Sequence, residues 1–303
     1  MLRSALLYLS GQPSLRRWTE TSSLADRMTK RFVAGQTLED ELGVCQRLNR
    51  ENILATVDYL GENVRSLEEA QQSRDTYLRA QQEIGARAIG ATVSIKLTQF
   101  GLDFSQEACL ANVEPLVAQA KAMGSRVEID MEASSYVDRT LDIVCQLHQR
   151  HASVRAVIQS YLFRSEKDVE MLNGRKIPIR LCKGAYKEPP EVAFPRKTDV
   201  DAAYVRLMEQ MLSSGTDPAI ASHDENMVRL AQRYIREKSI AQDGFEFQML
   251  YGIRRDLQKE LVGAGYRLRL YVPYGNAWYP YFMRRLAERP ANVLFLARNL
   301  IRS

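Results

Sequence analysis

Eight times along this chain a short run of apolar, β-prone residues is followed by a longer, charge-studded stretch with helical spacing. This alternation restricts the fold more than any other feature. The strand candidates are Ile53–Tyr59, Thr92–Leu97, Arg126–Met131, Val154–Gln159, Ile177–Cys182, Ala219–Ser222, Phe245–Met249 and Arg267–Val272. The helix candidates that follow them are Leu67–Arg87, Ser105–Ala122, Ser134–His151, Ser165–Leu172, Asp199–Ser214, Glu225–Lys238, Arg254–Gly263 and Trp278–Glu288. Strands joined through helices run parallel, because parallel neighbours need long crossovers, and the helices then cover the outer face of the sheet. The strands read as apolar runs more than as clean alternations, which suits a sheet buried on both faces. An open doubly wound sheet is the competing arrangement. It loses support because no G-x-G-x-x-G follows the first strand and no G-x-x-x-x-G-K-[ST] occurs anywhere. The pattern predicts an α/β fold: a closed (β/α)8 barrel over residues 51–303, with residues 1–50 as an N-terminal helical arm.

Composition removes other classes. With 45% hydrophobic and 26% charged residues, the 303-residue chain is neither disordered nor of low complexity. Lys and Arg number 42 against 37 Asp and Glu, a net charge of +5, and the basic residues are dispersed among acids instead of forming one stripe. That distribution argues against a nucleic-acid-binding module. Cys45, Cys109, Cys145 and Cys182 lie far apart with no C-x-x-C pair, so neither a zinc knuckle nor a disulfide framework is supported. Reduced, buried thiols and a cytosolic compartment are expected. No window approaches the ~20 apolar residues of a membrane span. The first 19 residues carry Arg3, Arg16 and Arg17 and no acid, as a transit peptide would, but the apolar run Ala5 to Leu9 is too short for a secretory signal.

In such barrels the chemistry sits where strands end and the following loops begin. Strand 2 ends with Lys96 inside an apolar run, a cation that needs a partner or a ligand. Period-two alternation puts Glu128, Asp130 and Glu132 on one face of strand 3, so Asp130 can pair with Lys96. A purely structural ion pair is the alternative at that position. Strand 5 carries Arg180 and Lys183 before Gly184-Ala185-Tyr186, which reads as an anion cradle: cations meet phosphate or an electron-rich ring, and glycine admits close approach. Strand 6 closes on Ser222-His223-Asp224. A metal at Asp130, Glu132, His223 and Asp224 is conceivable, but the cations crowding this rim count against it. His148 and His151 read as solvent-facing structural residues. The last helix aligns Tyr281, Arg284, Arg285 and Glu288 on one side, and its two arginines suit a carboxylate that sits between them.

Arg180-Leu181-Cys182-Lys183-Gly184-Ala185-Tyr186 does not stand alone. With Gln159-Ser160-Tyr161-Leu162, Phe245-Glu246-Phe247-Gln248-Met249-Leu250-Tyr251-Gly252 and Tyr281-x-x-Arg284-Arg285, it closely resembles proline dehydrogenase over roughly residues 50 to 290. The similarity is to the short monofunctional bacterial form, or to the corresponding domain of the bifunctional proline utilisation enzyme. This resemblance implies a distorted (β/α)8 TIM barrel with the last barrel helix over its mouth, binding FAD non-covalently. It implies that Arg180 lies near flavin N5, with Met131, Gln159, Lys183, Gly184, Ala185, Ser222 and His223 as further flavin contacts. It places Lys96, Asp130, Tyr271, Tyr281, Arg284 and Arg285 in the substrate pocket, and Glu62 as an acid that pairs with Arg284 and gates it. Cys182 and Ser222 depart from the usual valine and threonine, which leaves the detailed cofactor geometry open.

The reaction so implied is oxidation of L-proline to Δ1-pyrroline-5-carboxylate, with hydride leaving C5 for flavin N5. The resemblance also implies a quinone electron acceptor and a separate pyrroline-5-carboxylate dehydrogenase as partners, in the cytoplasm with peripheral contact to the inner membrane. The rival enzyme class is a Schiff-base aldolase built on Lys96 or Lys183.

Overall fold

The structure, a computed structural model, describes residues 31–61, 64–278 and 281. Eight parallel strands close a barrel in sequence order: β1 (Leu54–Tyr59), β2 (Ala91–Ile95), β3 (Val127–Ile129), β4 (Val154–Gln159), β5 (Ile179–Cys182), β6 (Ala219–Ala221), β7 (Glu246–Leu250) and β8 (Leu268–Tyr274). The seam is closed by β1, whose Thr56 pairs with Thr92 of β2 on one side and Tyr271 of β8 on the other. Helix α1 (Leu38–Arg50) precedes the first strand. Following β1 to β7 in turn are α2 (Leu67–Ala86), α3 (Gln106–Ala122), α4 (Val137–His151), α5 (Ser165–Gly174), α6 (Lys197–Ser214), α7 (Glu225–Glu237) and α8 (Arg255–Gly263).

Local chemistry sets these boundaries. Ser66, Ser105 and Asp224 cap α2, α3 and α7 by accepting from the backbone N–H of Glu69, Ala108 and Asn226. α1 starts on a capping box between Thr37 and Asp40 and packs on β1 and β8, burying Leu42, Cys45 and Leu48. Val57, Val93, Ile129, Ile158, Leu181 and Phe247, one from each of six strands, are buried in the continuous core.

The eight strands and the seven helices that follow β1 to β7 lie where the periodicity puts them, with three local differences, while the last expected helix, Trp278–Glu288, lies mostly outside the described residues. β3 is only three residues long and its ladder runs on only to Asp130, whose N–H donates to the Ile95 carbonyl at 2.8 Å, so the alternation expected to carry Glu132 onto the same face stops short of it. Residues Ser134–Tyr136 form a 3-10 turn ahead of α4, because Glu188 accepts from both the N–H (2.7 Å) and the hydroxyl of Ser134. His148 and His151 are half-buried, not solvent-facing, and His151 Nε2 lies 3.1 Å from Glu114. All four cysteines are free, with Cys45 and Cys109 buried and Cys145 and Cys182 half-buried. No helix among the described residues is long and apolar enough to cross a membrane.

Candidate active site

At the C-terminal end of the barrel, Asp58, Ser94, Lys96, Asp130, Arg180 and Tyr271 converge from five strands or strand ends. The strand period makes this possible: Ser94 and Lys96, Glu128 and Asp130, and Arg269 and Tyr271 are each two residues apart and share a face. Asp130 is the centre. Its Oδ1 accepts from Ser94 Oγ at 2.8 Å and from Arg180 Nη2; its Oδ2 accepts from the Tyr271 hydroxyl at 2.8 Å and faces Lys96 Nζ at 3.5 Å. Lys96 Nζ also lies 3.5 Å from Asp58 and 3.4 Å from the Tyr271 hydroxyl. The Arg180 guanidinium stands 5.5 Å from the Tyr271 ring centroid, a cation–π distance.

The electrostatics follow from this packing. Burial opposes ionisation of Asp130, but Arg180, Lys96, Tyr271 and Ser94 outweigh it and hold the carboxyl below its usual range. Burial also opposes the Arg180 charge, and Asp130 and Glu128 outweigh it, so this guanidinium is held even more firmly cationic than usual. Burial, reinforced by Asp130, pushes the Tyr271 phenol well up, so it stays protonated and donates. The result is a charged floor with fixed donors at the mouth of a closed barrel.

Around this floor runs a polar rim. Gln159, at the end of β4, donates to the carbonyls of Met131 (2.8 Å) and Glu132 (2.9 Å), while its Oε1 is buried with no hydrogen-bond partner. Gly184 is exposed, with φ +120°, and a Cβ there would lie 2.4 Å from the Tyr161 ring. Ala185 is exposed beside it. Ser222 is buried and accepts the Asp224 N–H through its hydroxyl at 3.1 Å. His223 Nε2 accepts the Leu250 N–H at 2.7 Å, which places the proton of a neutral ring on Nδ1. Lys183 is ion-paired with Asp201 and, at 2.8 Å, with Asp224.

The structure therefore brings Lys96, Asp130, Arg180 and Tyr271 together, and sets Met131, Gln159, Lys183, Gly184, Ala185, Ser222 and His223 on strand ends and loops at the same end. Trp278 and Tyr281 are helical and buried. Glu62, Arg284 and Arg285 lie outside the described residues, as does most of the helix expected over the mouth. The conceivable metal set does not assemble: Glu132 is held by the N–H and hydroxyl of Thr98, and Asp224 caps α7 and pairs with Lys183. No group of three or more potential metal ligands occurs among the described residues. Both aldolase lysines are ion-paired with two carboxylates each, the opposite of the neutral amine that Schiff-base chemistry requires. Sequence reading missed Asp58, Ser94 and Gln248, and put Glu128 on the face of Asp130 without giving it a role. A charge within an apolar strand is the signal that singled out Lys96, and it is present at Asp58 and Glu128 as well.

Residues 42–298 match the family model for proline dehydrogenase. The chain belongs to the proline dehydrogenase family. It is 41% identical to proline dehydrogenase 1 of Bacillus subtilis subsp. natto over 303 residues, all of both chains. It is 38% identical to the proline dehydrogenase of Deinococcus radiodurans over 309 residues, covering 100% of this chain and 98% of the other. Among solved structures it resembles proline utilization A of Bdellovibrio bacteriovorus inactivated by N-propargylglycine, with a TM-score of 0.82 and 27% identity. That likeness covers 87% of this chain and about a third (33%) of that longer chain. As a proline dehydrogenase the protein is an oxidoreductase acting on proline.

Proposed function

We propose that the protein binds FAD at the C-terminal mouth of its barrel and there oxidises L-proline to Δ1-pyrroline-5-carboxylate. The observation that carries this reading is the Lys96–Asp130–Arg180–Tyr271 cluster, with Arg180 buried and the other three half-buried, fixed charge at the end of the barrel where these folds do their chemistry. The rim suits a large planar cofactor with a phosphate-bearing tail. Gln159 Oε1 is a buried acceptor awaiting a donor, Arg180 offers permanent positive charge, and the backbone at Gly184 is open because no Cβ fits there. Met131, Lys183, Ala185, Ser222 and His223 complete the expected cofactor contacts.

When bound, FAD supplies the two-electron acceptor that no side chain can provide. Arg180, locked at both Nη atoms, would offer a bound flavin fixed positive charge without rearranging its own partners. Asp130 orients Lys96 and Tyr271, so the substrate meets a floor of settled polarity, and Tyr271 and Tyr281 wall the ring. By the resemblance, Arg284 and Arg285 clamp the proline carboxylate and Glu62 gates the pocket; holding the ring in one orientation makes proximity a large part of the rate. We place the enzyme in the cytoplasm, meeting a quinone acceptor at the inner membrane and handing its product to a separate pyrroline-5-carboxylate dehydrogenase.

Absorption spectra of the purified protein before and after anaerobic L-proline test this reading. A flavin spectrum with releasable FAD that bleaches on addition of proline is expected. A colourless protein that neither binds FAD nor oxidises proline overturns it.

A further inference from the structure

The guanidinium of Arg180 is held from two directions. Within the site, Nη2 donates to Asp130 and to Ser94 Oγ at 3.1 Å. From the barrel interior, Nη1 donates to Gln248 Oε1 at 3.2 Å and meets Glu128 Oε2 at 3.1 Å. The second pair is buried, and the Glu128 side chain is wholly so, 0% exposed.

The orientation of this support is over-determined. Gln248 Nε2 donates to Glu128 Oε2 at 3.2 Å and to Glu246 Oε1 at 2.7 Å. Ionised carboxylates only accept and guanidinium only donates, so the amide carbonyl must face Arg180; a flipped amide would leave donors facing donors. Glu128 is divided in the same way. Its Oε1 accepts from Arg155 Nη1 and from Thr92 Oγ1, each at 3.2 Å, while its Oε2 serves Arg180 and Gln248. Arg155 has further carboxylate partners in Glu246 and Asp217, so a merely structural network beneath the site would not need the upper half of Glu128.

We infer that Glu128, acting with Gln248, is the positioning residue for Arg180. It holds Nη1 from below, so that Arg180 shares Oδ1 of Asp130 with Ser94 and leaves Oδ2 to Tyr271 and Lys96. It also sets the charge beneath the cofactor, since each arginine of the interior is balanced by a carboxylate. This inference rests on the proposed placement of FAD against Arg180.

The experiment compares Glu128→Gln, Gln248→Met and, as a reference, Arg180→Met in the FAD-loaded protein. It reads kcat and KM for proline, the flavin midpoint potential by dye equilibration, and the thermal midpoint. Glu128→Gln should lower kcat about tenfold, less than the 10²–10³ that follows loss of a direct electrostatic contact. KM should change less than twofold, and the potential should move positive because one negative charge is gone. Gln248→Met, which removes an acceptor but no charge, should lower kcat in the same sense with a smaller shift in potential. It decides the matter if Glu128→Gln does not fold. Wild-type kcat and potential in the folded variants, with only a lower thermal midpoint, would overturn the inference. So would a rise in KM at constant kcat. If Arg180→Met moves the potential and neither interior variant does, Glu128 loses its role while the proposed function stands. A protein that takes up no FAD contradicts that function itself.

Discussion

Asp130 carries more constraints than any other residue of the site. All four of its partners, Ser94, Arg180, Tyr271 and Lys96, are donors, so only an ionised carboxylate satisfies them together. Asp130→Asn keeps the volume but turns an NH2 group towards at least one of these donors. We expect kcat/KM for proline to fall at least ~10²-fold, in the range for loss of a fixed electrostatic contact. Stability should fall by about 3 kcal/mol, the low end for breaking a buried ion pair, because Arg180 keeps Glu128 and Gln248. Steady-state kinetics and denaturant midpoints measure the two effects, and wild-type kinetics would remove Asp130 from the site. The Lys96–Asp130 pairing was legible in the sequence because both residues interrupt apolar runs at neighbouring strand ends. The stronger Arg180–Asp130 contact joins residues 50 apart on strands that are not neighbours, and local spacing does not encode a meeting across the barrel.

The elements were legible almost completely, because apolar β-branched runs and polar helix caps are local signals. What failed was local too, but had distant causes: Glu188, 54 residues beyond Ser134, tightens the start of α4 into a 3-10 turn. The loop between β5 and α6 is tied down in the same way. Tyr161 donates its N–H to the Lys183 carbonyl (3.0 Å), Phe194 donates to the Tyr161 carbonyl (2.8 Å), and the Tyr161 ring rests against Gly184. Gly184→Ala therefore meets a rigid ring and a left-handed φ together. Adopting αL-type backbone without glycine costs ~1–2 kcal/mol, before any displacement of the ring. We expect the variant to fold and to lose about tenfold in FAD affinity, as strain on this scale corresponds to about one decade in binding. Titrating apoprotein with FAD measures the change; unaltered affinity would take this turn out of the cofactor site.

Across the whole molecule the interior is more ionic than the apolar strands suggested. Arg155, Arg180 and Arg269 alternate with Glu128, Glu246 and Asp130 from the barrel's middle to its mouth, with Asp217 at the opposite end. Burial raises the cost of charging Asp130, Glu246 and Asp217, yet arginine partners hold all three below the usual carboxylate range. Their stabilisation is present above the unfolded-state values near pH 4 and is lost as pH falls through the depressed folded values. Glu41 on α1 behaves oppositely. Wholly buried, with one oxygen unpartnered and the other facing only the Cys45 thiol at 3.4 Å, it is pushed well up by burial, and Asp58 adds to the effect. A carboxyl whose folded value lies above its unfolded value binds more protons in the native state, so its contribution to stability declines as pH rises between the two. Glu41→Gln, a neutral isostere, removes that decline and leaves the acid limb intact. The stability difference between variant and wild type should therefore widen above pH ~4.3 by up to about 1.4 kcal/mol per pH unit. Below that pH the two proteins should fall in parallel. Denaturant melts from pH 3 to 8 test this, and a gap that does not change with pH would mean that Glu41 ionises in the folded barrel as readily as in the open chain.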